Sequence, residues 1–562
     1  MTDIHDELIR REARFDRRGL LSRAAAVGGG LLIPASLEGL FPAGAAAAPE
    51  RQRQVRAAAG TIYVALGSDM TNIDPYLTTN DNATAETLTN IYGLPMNFKF
   101  PGPLVDGVPA ANPNVFAPWL ASSWKWNAKR SAVTFTIPPG LKFVDGSPLD
   151  ANAVKFSWDR CFDVQGSGYF LFSMVGVTKK SQLRLIDNQH IQVVMPHASS
   201  LLFGNMAQFY STAIINPTLV KKHATSKDPH AEQWMKTHAA DSGPYYLQQW
   251  QVGTGWTLQA NPNSPIKAKT KTVVFQVVPD ASERELLLRA GKVDFVPVSW
   301  TPVKDVPRLK TTSGIKVVSV PSRYPVFAGM NVAQKPFDNK LVRQAFNYAV
   351  PYATIMAQVM HGQGIQLKSP VPEGTPTSDF SFWHYDTNIA KAKNLLKQAG
   401  YSSGLSVELS VDAGASTDQD TAIWIQQGLR QIGVDCTIKK LPGAAYTTAT
   451  QARSLPFFIN SSWVSNNNDP FYHLYWLFTQ SCCTYGRYEN PEVIKLVNQW
   501  VNQPPSAGRD AASRKVQQII VEDAPWIFLY QPPNVYLMGN HVQGFEYEPA
   551  DNVTRYWPLY KT

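Results

Sequence analysis

The feature that most constrains the fold is a recurring order of strand, turn and capped helix that has no fixed repeat length. Thr61–Ala65 is rich in β-branched residues and is predicted to be a strand. Ser131–Ile137 alternates apolar and polar residues, which predicts a half-buried strand. Asp150 then stands where a helix N-cap is expected, ahead of a face that carries Val154 and Trp158. This pattern predicts a mixed α/β protein that is not built from repeats.

The same order continues towards the C-terminus. Further strands are predicted at 191–195 and 272–278. Helices that end at a glycine are predicted at 280–291, 388–400 and 418–433. Residues 339–350 place apolar side chains on one helical face, and Pro351 fits the first turn of a further helix.

The length, composition and charge of the chain limit the kinds of protein that it can be. Of 562 residues, 44% are apolar and 17% are charged, which is typical of a globular protein of two or three domains. The net charge of +9 is spread without any block of Lys and Arg after the first segment. Because nucleic-acid binding depends on clustered positive charge, we expect no nucleic-acid partner.

The first 48 residues differ from the rest. Arg17 and Arg18 precede a mildly apolar, Gly- and Ala-rich stretch at 24–33, and small residues follow at 45–48. This order resembles a twin-arginine export signal, which carries folded proteins across the membrane. A basic amphipathic helix is the alternative interpretation. Residues 49–60 are then predicted to be a linker.

The rest of the chain predicts a protein that is not inserted in a membrane. No other stretch approaches the roughly 18 apolar residues that a membrane span needs. The first cysteine is Cys161, so a lipid anchor at the signal junction is not expected. The predicted location is therefore periplasmic, or extracytoplasmic more generally.

No catalytic motif accompanies these features. The chain lacks an HExxH zinc helix, a GxSxG nucleophile elbow and a P-loop, and its ten histidines are scattered. The four cysteines, which are Cys161, Cys436, Cys482 and Cys483, do not have the spacing of metal ligands. The adjacent pair, Cys482 and Cys483, could be ordinary thiols or a vicinal disulfide. We predict a non-enzymatic protein without metal or cofactor, with a secreted hydrolase as the alternative.

Several segments, in order, resemble the family 5 extracellular solute-binding proteins of ATP-binding-cassette importers, which include dipeptide-, oligopeptide- and nickel-binding members. The segments that carry the resemblance are Leu120-Ala-Ser-Ser-Trp124, Leu141-Lys-Phe-Val-Asp-Gly-Ser-Pro-Leu149, Ala153-Val-Lys-Phe-Ser157, Ser242-Gly-Pro-Tyr245, Ala290-Gly-Lys-Val-Asp-Phe295, Met330-Asn-Val-Ala-Gln-Lys-Pro-Phe-Asp338, Val342-Arg-Gln-Ala-Phe-Asn-Tyr-Ala349, Ala390-Lys-Ala-Lys-Asn-Leu-Leu-Lys-Gln-Ala-Gly-Tyr401 and Tyr488-Glu-Asn-Pro-Glu-Val493. Each segment is weakly specific, whereas their common order is strongly specific.

The resemblance implies the two-lobed periplasmic-binding-protein fold of type II, in its large three-domain form, with a ligand cleft at the hinge. Lobe I is expected at 61–75, 184–278 and 524–562, an inserted domain at 76–183, and lobe II at 279–523. Such a protein is expected to be a monomer that closes on a small-molecule ligand and presents it to the permease subunits of an importer. A ligand-binding sensor that is not coupled to import is an alternative.

The resemblance also places a ligand contact at Trp463 and Asn466. Peptide-binding members carry a Trp three residues before an aspartate that pairs with the α-ammonium group of the ligand, and here that position is Asn466. An amide cannot compensate for the desolvation of a cation as a carboxylate does. We therefore expect weak binding of free peptides, and better binding of a neutral polar ligand such as an oligosaccharide or an amine-blocked peptide.

Other residues complete the predicted site. Asn467 is expected to bind ligand beside Asn466, although asparagines before Asp469 could instead form turns and caps. Tyr324 and Phe327 lie where lobe II of the family faces the cleft, so they could touch ligand or only pack. Asn72 and Thr71 are weaker candidates from lobe I.

Overall fold

The computed structural model describes residues 60–562, except residues 79–80, 300, 464, 466, 480 and 482. The predicted signal peptide and nearly all of the predicted linker lie outside the described residues. Asn466 and Cys482 lie outside them as well.

The described strands are numbered β1 to β21 in chain order. They are Thr61–Leu66, Met96–Lys99, Asn112–Pro118, Ser123–Trp126, Ala132–Thr136, Leu183–Leu185, His190–Val194, Tyr245–Gln251, Gly255–Ala260, Thr272–Val277, Phe295–Val296, Ile315–Pro321, Val326–Met330, Ile365–Gln366, Leu405–Asp412, Val434–Leu441, Phe457–Asn460, Trp526–Gln531, Pro533–Gly539, Val542–Gln543 and Tyr560–Lys561.

The α-helices among the described residues alternate with these strands. They are Asn82–Ile91, Ala151–Val164, Ser167–Ser173, Leu202–Met206, Phe209–Thr212, Pro217–His223, Glu232–Met235, Ala281–Arg289, Val306–Leu309, Lys340–Ala349, Tyr352–Gln358, Ile389–Gln398, Ser416–Gln431, Gly443–Gln451, Pro470–Phe478, Pro491–Trp500 and Ala507–Asp523. Short 3₁₀ turns lie at Lys180–Gln182 and Val303–Asp305.

Two large sheets organise the chain. A seven-stranded sheet has the order β12-β19-β11-β1-β10-β9-β8, and a six-stranded sheet has the order β14-β18-β13-β17-β15-β16. Parallel pairs occur in both, with β1 against β10 and β15 against β16. The helix Ser416–Gln431 forms the crossover between β15 and β16, as parallel strands require. The mixed α/β class predicted from the sequence is confirmed.

Smaller sheets lie outside these two. A four-stranded antiparallel sheet has the order β4-β5-β7-β6, and two-stranded sheets are formed by β2 with β3 and by β20 with β21. The predicted strand at Ser131–Ile137 is β5, in which Val133 and Phe135 are fully buried. Alternation along the sequence thus identified the buried face correctly.

Two of the predicted helix starts, at Asp150 and Asp280, are confirmed by their capping contacts. The side chain of Asp150 accepts hydrogen bonds from the backbone N–H groups of Asn152 and Ala153. Asp280 caps the helix Ala281–Arg289 in the same way. Val154 and Trp158 lie on the inner face of the first of these helices and are fully buried. A local capping signal is therefore sufficient to place these boundaries.

The chain passes between the two large sheets at positions that differ from the expected domain boundaries. β12 belongs to the seven-stranded sheet and β13 to the six-stranded sheet, so the first crossing is at 322–325 and not at 278/279. The return crossing is Pro532, between β18 and β19, and not at 523/524. Below, lobe II means residues 326–531, and lobe I means the described residues on either side of the crossings.

The expected end of the inserted domain at 183 also differs from the sheet structure. β6 and β7 complete the four-stranded sheet, which therefore extends to Val194. Sheet membership depends on pairing between distant strands, and this information is not contained in the local sequence pattern.

Two further observations concern the described part of the chain. None of its helices combines the length and apolar composition that a membrane crossing requires. Cys161, Cys436 and Cys483 are free thiols, and Cys161 and Cys436 are buried.

Candidate functional site: the cleft between the lobes

The two crossings lie side by side and are tied together. Gln531, the last residue before Pro532, donates a hydrogen bond from its side chain to the carbonyl of Ser322 at 2.8 Å. Its side-chain oxygen accepts from the backbone N–H of Glu373 at 2.7 Å. Two short, adjacent connections between rigid sheets are the arrangement in which one lobe rotates against the other.

Arg323 lies in the first crossing and is 5% exposed. Its guanidinium donates to the side-chain oxygen of Asn468 in lobe II and to the carbonyl of Pro549 in lobe I. Burial lowers the pKa of Arg323, and nearby Tyr547 and Glu548 act in the opposite direction. Among the described residues it forms hydrogen bonds but no ion pair, so the cleft holds a buried cation without a paired carboxylate.

A segment of lobe II reaches across to lobe I immediately before the helix Pro470–Phe478. The amide of Asn467 donates to the carbonyl of Leu201 at 3.1 Å and to the side-chain oxygen of Asn205 at 3.0 Å. The amide of Asn468 donates to the side-chain oxygen of Asn114 at 2.5 Å. These hydrogen bonds join the lobes directly, so the structure has the lobes in contact.

The next residue, Asp469, adds charge to this contact. One carboxylate oxygen accepts from the hydroxyl of Ser200 in lobe I at 2.9 Å, and the other accepts from Arg509 at 2.8 Å. The same carboxylate caps the helix that begins at Pro470. We call Asn467, Asn468 and Asp469 the lobe contact.

Gly204 makes room for the lobe contact. A Cβ atom at this position would lie 2.5 Å from the amide nitrogen of Asn467 and 2.6 Å from its Cγ. Contacts this short do not occur between real side chains. A glycine in the helix Leu202–Met206 is therefore required for the Asn467 amide to reach Leu201.

Trp463 is 9% exposed and is held by a histidine. Its indole N–H donates to Nδ1 of His473 at 3.2 Å, and Nε2 of the same ring lies 3.2 Å from the hydroxyl of Ser465. An indole nitrogen only donates, so Nδ1 must be the acceptor and Nε2 carries the proton. Burial lowers the pKa of His473 to about 3, with a further contribution from Arg323. The imidazole is therefore neutral, and Trp463 is fixed in orientation.

Two buried tyrosines, Tyr324 and Tyr210, are close enough to interact electrostatically. The hydroxyl of Tyr324 accepts a hydrogen bond from Asn552 at 2.7 Å, and burial raises its pKa to about 12. The hydroxyl of Tyr210 is buried without a hydrogen-bond partner among the described residues, and burial raises its pKa well above the usual value. Tyr324 and Asp551 are close enough to influence the pKa of Tyr210. An unpaired buried hydroxyl is uncommon in a folded protein and is a suitable partner for a polar ligand.

The structure does not bring all of the predicted residues together. Phe327 is fully buried and stacks on Trp526, with ring centroids 3.5 Å apart, so it offers no exposed surface to a ligand in this conformation. Thr71 is exposed and donates to Asp81, the cap of the helix Asn82–Ile91. The side chain of Asn72 bonds backbone groups of its own turn.

Of the predicted residues, Trp463, Asn467 and Tyr324 are located at or beside the lobe contact, while Asn466 lies outside the described residues. Arg323 and Tyr210 were not predicted from the sequence. A single arginine within the apolar strand region that contains Tyr324 was a usable signal for Arg323. No local pattern distinguishes Tyr210 from a core tyrosine.

The fold is that of a known class of binding protein. The model of the bacterial extracellular solute-binding proteins, family 5, matches residues 115–483, which is more than half of the chain. The chain therefore belongs to this family, and the resemblance seen in the sequence is confirmed.

Two curated relatives cover most of the chain. The probable D,D-dipeptide-binding periplasmic protein DdpA of Escherichia coli K12 is 26% identical over 435 residues, which are 76% of this chain and 82% of that protein. The glutathione-binding protein GsiB of Pectobacterium atrosepticum is 26% identical over 508 residues, which are 88% of this chain and 92% of that protein.

Solved structures agree on the fold. The periplasmic binding protein DppA of Helicobacter pylori, in complex with the peptide STSA, gives a TM-score of 0.76 at 22% identity and covers 91% of this chain and 99% of that one. NikA of Brucella suis, in complex with Fe(III)-EDTA, gives 0.77 at 16% identity and covers 89% of this chain and 100% of that one. The expected periplasmic-binding-protein fold is confirmed.

Proposed function

We propose that this protein is an extracytoplasmic receptor that captures a peptide-like ligand between its lobes and delivers it to the permease subunits of an ATP-binding-cassette importer. The observation that carries the proposal is the pair of adjacent crossings between two large sheets in a member of the solute-binding family. The names of the relatives support a peptide-like ligand, since they refer to a D,D-dipeptide, to glutathione and to a peptide complex. They give no support to the expected oligosaccharide.

The charge of the cleft supports a ligand with a free carboxylate. Arg323 is buried and has only neutral hydrogen-bond partners among the described residues. A guanidinium prefers a carboxylate, because two charge-assisted hydrogen bonds form in parallel. With Asn466 in place of an aspartate, recognition of the ligand then depends on its carboxylate end more than on its α-ammonium group.

Calorimetry tests this proposal on the mature protein. We expect D-alanyl-D-alanine or glutathione to bind, and maltotriose not to bind. A peptide carboxamide should bind roughly tenfold more weakly than the free acid, and Arg323→Gln should abolish that difference. Arg514→Gln, at a half-exposed position, is the control variant and should keep it. Binding of maltotriose with no binding of any peptide would overturn the proposal.

Lobe closure is the proposed mechanism of capture, and small-angle scattering tests it. We expect a smaller radius of gyration at saturating ligand, because the two crossings allow rotation of the lobes. An unchanged radius with saturating ligand would count against closure.

We also propose that the precursor is exported by the twin-arginine route and cleaved near residue 48, leaving a monomer outside the cytoplasmic membrane. The order of Arg17, Arg18 and the small residues that follow supports this proposal. Replacing both arginines with Lys should leave precursor in the cytoplasm. Normal export of this double variant would refute the twin-arginine assignment.

Binding without turnover is the final part of the proposal. Incubation of the purified protein with its bound peptide should return the peptide unchanged, as mass spectrometry can verify. Protein-dependent cleavage would favour the secreted hydrolase. Normal peptide uptake in cells that lack the protein would favour a sensor instead of an import receptor.

A further inference from the structure

A cavity of about 150 Å³ lies in lobe I, between the β2–β3 hairpin and the C-terminal segment 546–557. Backbone hydrogen bonds join its two sides, from Tyr547 N–H to the carbonyl of Pro109 at 2.8 Å and from Ala111 N–H to the carbonyl of Tyr547 at 2.9 Å. We call it the hairpin pocket. Its lining residues all belong to lobe I, and its edge at Tyr547 and Glu548 adjoins the first crossing, where both residues influence the pKa of Arg323.

Three buried side chains that line the hairpin pocket each have one polar atom without a partner. Glu548 is 6% exposed, Arg555 5% and Trp119 8%. The unpartnered atoms among the described residues are Oε1 of Glu548, Nε of Arg555 and Nε1 of Trp119. Buried polar atoms are nearly always hydrogen-bonded, and three exceptions around one cavity indicate that a polar molecule completes it. The molecule must donate to one carboxylate and accept from one or two N–H groups.

The charge around the pocket favours a cation. Arg555 is already neutralised by Asp551, with two hydrogen bonds of 2.5 and 2.7 Å. The Glu548 carboxylate lies 4.0 Å from the same guanidinium, so Glu548 and Asp551 share the single positive charge of Arg555. Glu546 is a second carboxyl group that lines the cavity. Burial raises the pKa of Glu548 to about 8 and that of Glu546 to about 7, so a cation bound beside them stabilises the ionised form of either carboxyl group.

Aromatic rings supply the remaining wall. The rings of Trp119 and Trp557 lie with centroids 5.6 Å apart at an interplanar angle of 48°, and Phe98 and Phe100 also line the cavity. The faces of indole rings attract organic cations within about 6 Å. The combination of a carboxylate with indole rings is suited to an organic ammonium group.

We propose that the hairpin pocket binds a small primary ammonium compound that carries an oxygen acceptor next to its ammonium group. The ammonium donates to Glu548 and lies against the indole rings, while the oxygen accepts from Trp119 or Arg555. The cavity of about 150 Å³ is small, so we expect a compound of only a few non-hydrogen atoms. Amino acid amides and amino alcohols belong to this class.

Glycinamide and propionamide test the proposal as a matched pair, because they differ only in an ammonium group in place of a methyl group. We expect saturable binding of glycinamide to the mature protein by calorimetry, and binding of propionamide that is roughly tenfold weaker or more. Glu548→Gln should remove that difference. The control variant Glu408→Gln, at an exposed position of lobe II, should keep it.

A second variant, Trp119→Phe, tests the proposal independently in case Glu548→Gln does not fold. Trp119→Phe keeps an aromatic ring but removes the N–H donor, and it should weaken glycinamide roughly twofold to tenfold. In nuclear magnetic resonance spectra, glycinamide should shift the indole N–H signal that disappears in Trp119→Phe. Equal binding of both amides, no binding of either, or an unshifted Trp119 signal would overturn the proposal.

Discussion

The lobe contact and the hairpin pocket are both rich in buried polar groups, but they satisfy these groups differently. In the lobe contact, Asn467, Asn468 and Asp469 each have a hydrogen-bond partner in the opposite lobe. In the hairpin pocket, Glu548 and Trp119 each keep one atom without a partner among the described residues. Satisfied polar groups stabilise one arrangement of the chain, whereas unsatisfied ones favour a bound molecule.

The largest effect is expected where the lobe contact carries charge. Arg509 and Asp469 form an ion pair of 2.8 Å with both side chains largely buried. Arg509→Gln leaves the Asp469 carboxylate buried without its cation, which should lower the free energy of unfolding by about 3–5 kcal/mol. Denaturant unfolding of the mature protein measures this loss.

The control for this variant is an arginine on the same helix. Arg514 is half exposed and lies 3.5 Å from Asp379, so Arg514→Gln should cost less than about 1 kcal/mol. Equal losses for the two variants would mean that the buried ion pair of the lobe contact contributes no more than a surface pair.

A second prediction uses Gly204 to separate closure from folding. Gly204→Ala introduces a Cβ that would meet the Asn467 amide only when the lobes are together. Overpacking of this kind costs about 1–3 kcal/mol, so affinity for the cleft ligand should fall roughly fivefold to a hundredfold. Unfolding midpoints should change little, because Ala is a good helix former.

The double variant Gly204→Ala/Asn467→Ala is the matched control. It removes the atoms with which the new Cβ collides, so it should recover part of the affinity despite the loss of two hydrogen bonds. If Gly204→Ala alone binds ligand and compacts in scattering as the wild type does, the proposed steric block is wrong.

A third prediction concerns the residue beside the lobe contact, Asn466. Asn466→Asp should increase affinity for a peptide with a free α-amine by roughly tenfold to a hundredfold, because a charge-assisted hydrogen bond replaces a neutral one. The same peptide with an acetylated amine should not gain. Calorimetry with both peptides on both proteins gives the four affinities required.

Two outcomes would contradict this prediction. Submicromolar binding of a free dipeptide by the wild type would mean that another carboxylate pairs with the amine. Equal gains for the free and the acetylated peptide would mean that Asn466 acts through the lobe contact and not on the ligand amine.

The sequence predicted the elements whose signals are local. Asp150 and Asp280 bond backbone groups within three residues, and the strand at 132–136 shows its buried face by alternation. The family was also accessible, because several short segments preserve their order along the chain.

The crossings and the partners of the site residues were not predictable in this way. β11 and β12 join the seven-stranded sheet because they pair with β1 and β19, and these pairings are decided by distant parts of the chain. Asn467 looked like a ligand residue or a turn former, whereas its partner Asn205 is 262 residues away. The hairpin pocket likewise combines Trp119 with Glu548, and neither residue is unusual in its local sequence.

The last prediction tests the charge of the hairpin pocket through the pH dependence of stability. The pKa of Glu548 rises from 4.5 to about 8, chiefly by burial, with Asp551 raising it and Arg555 and Arg323 lowering it. Between these values the native state binds more protons than the unfolded state at this group. Its contribution to stability is therefore fully present below about pH 4.5 and is lost as the pH rises through about 8.

Glu548→Gln removes this group from the titration, so the decline in the free energy of unfolding between pH 5 and pH 8 should become shallower than in the wild type. Saturating glycinamide should also flatten the wild-type decline, because a bound ammonium stabilises the ionised carboxylate. Glu408→Gln, which is exposed, should follow the wild-type curve. If Glu548→Gln and wild type keep parallel pH profiles, Glu548 is ionised in the native state at neutral pH. The charges in the hairpin pocket would then already be balanced without a ligand. The unsatisfied polar groups that distinguish the hairpin pocket from the lobe contact would no longer indicate a cationic ligand.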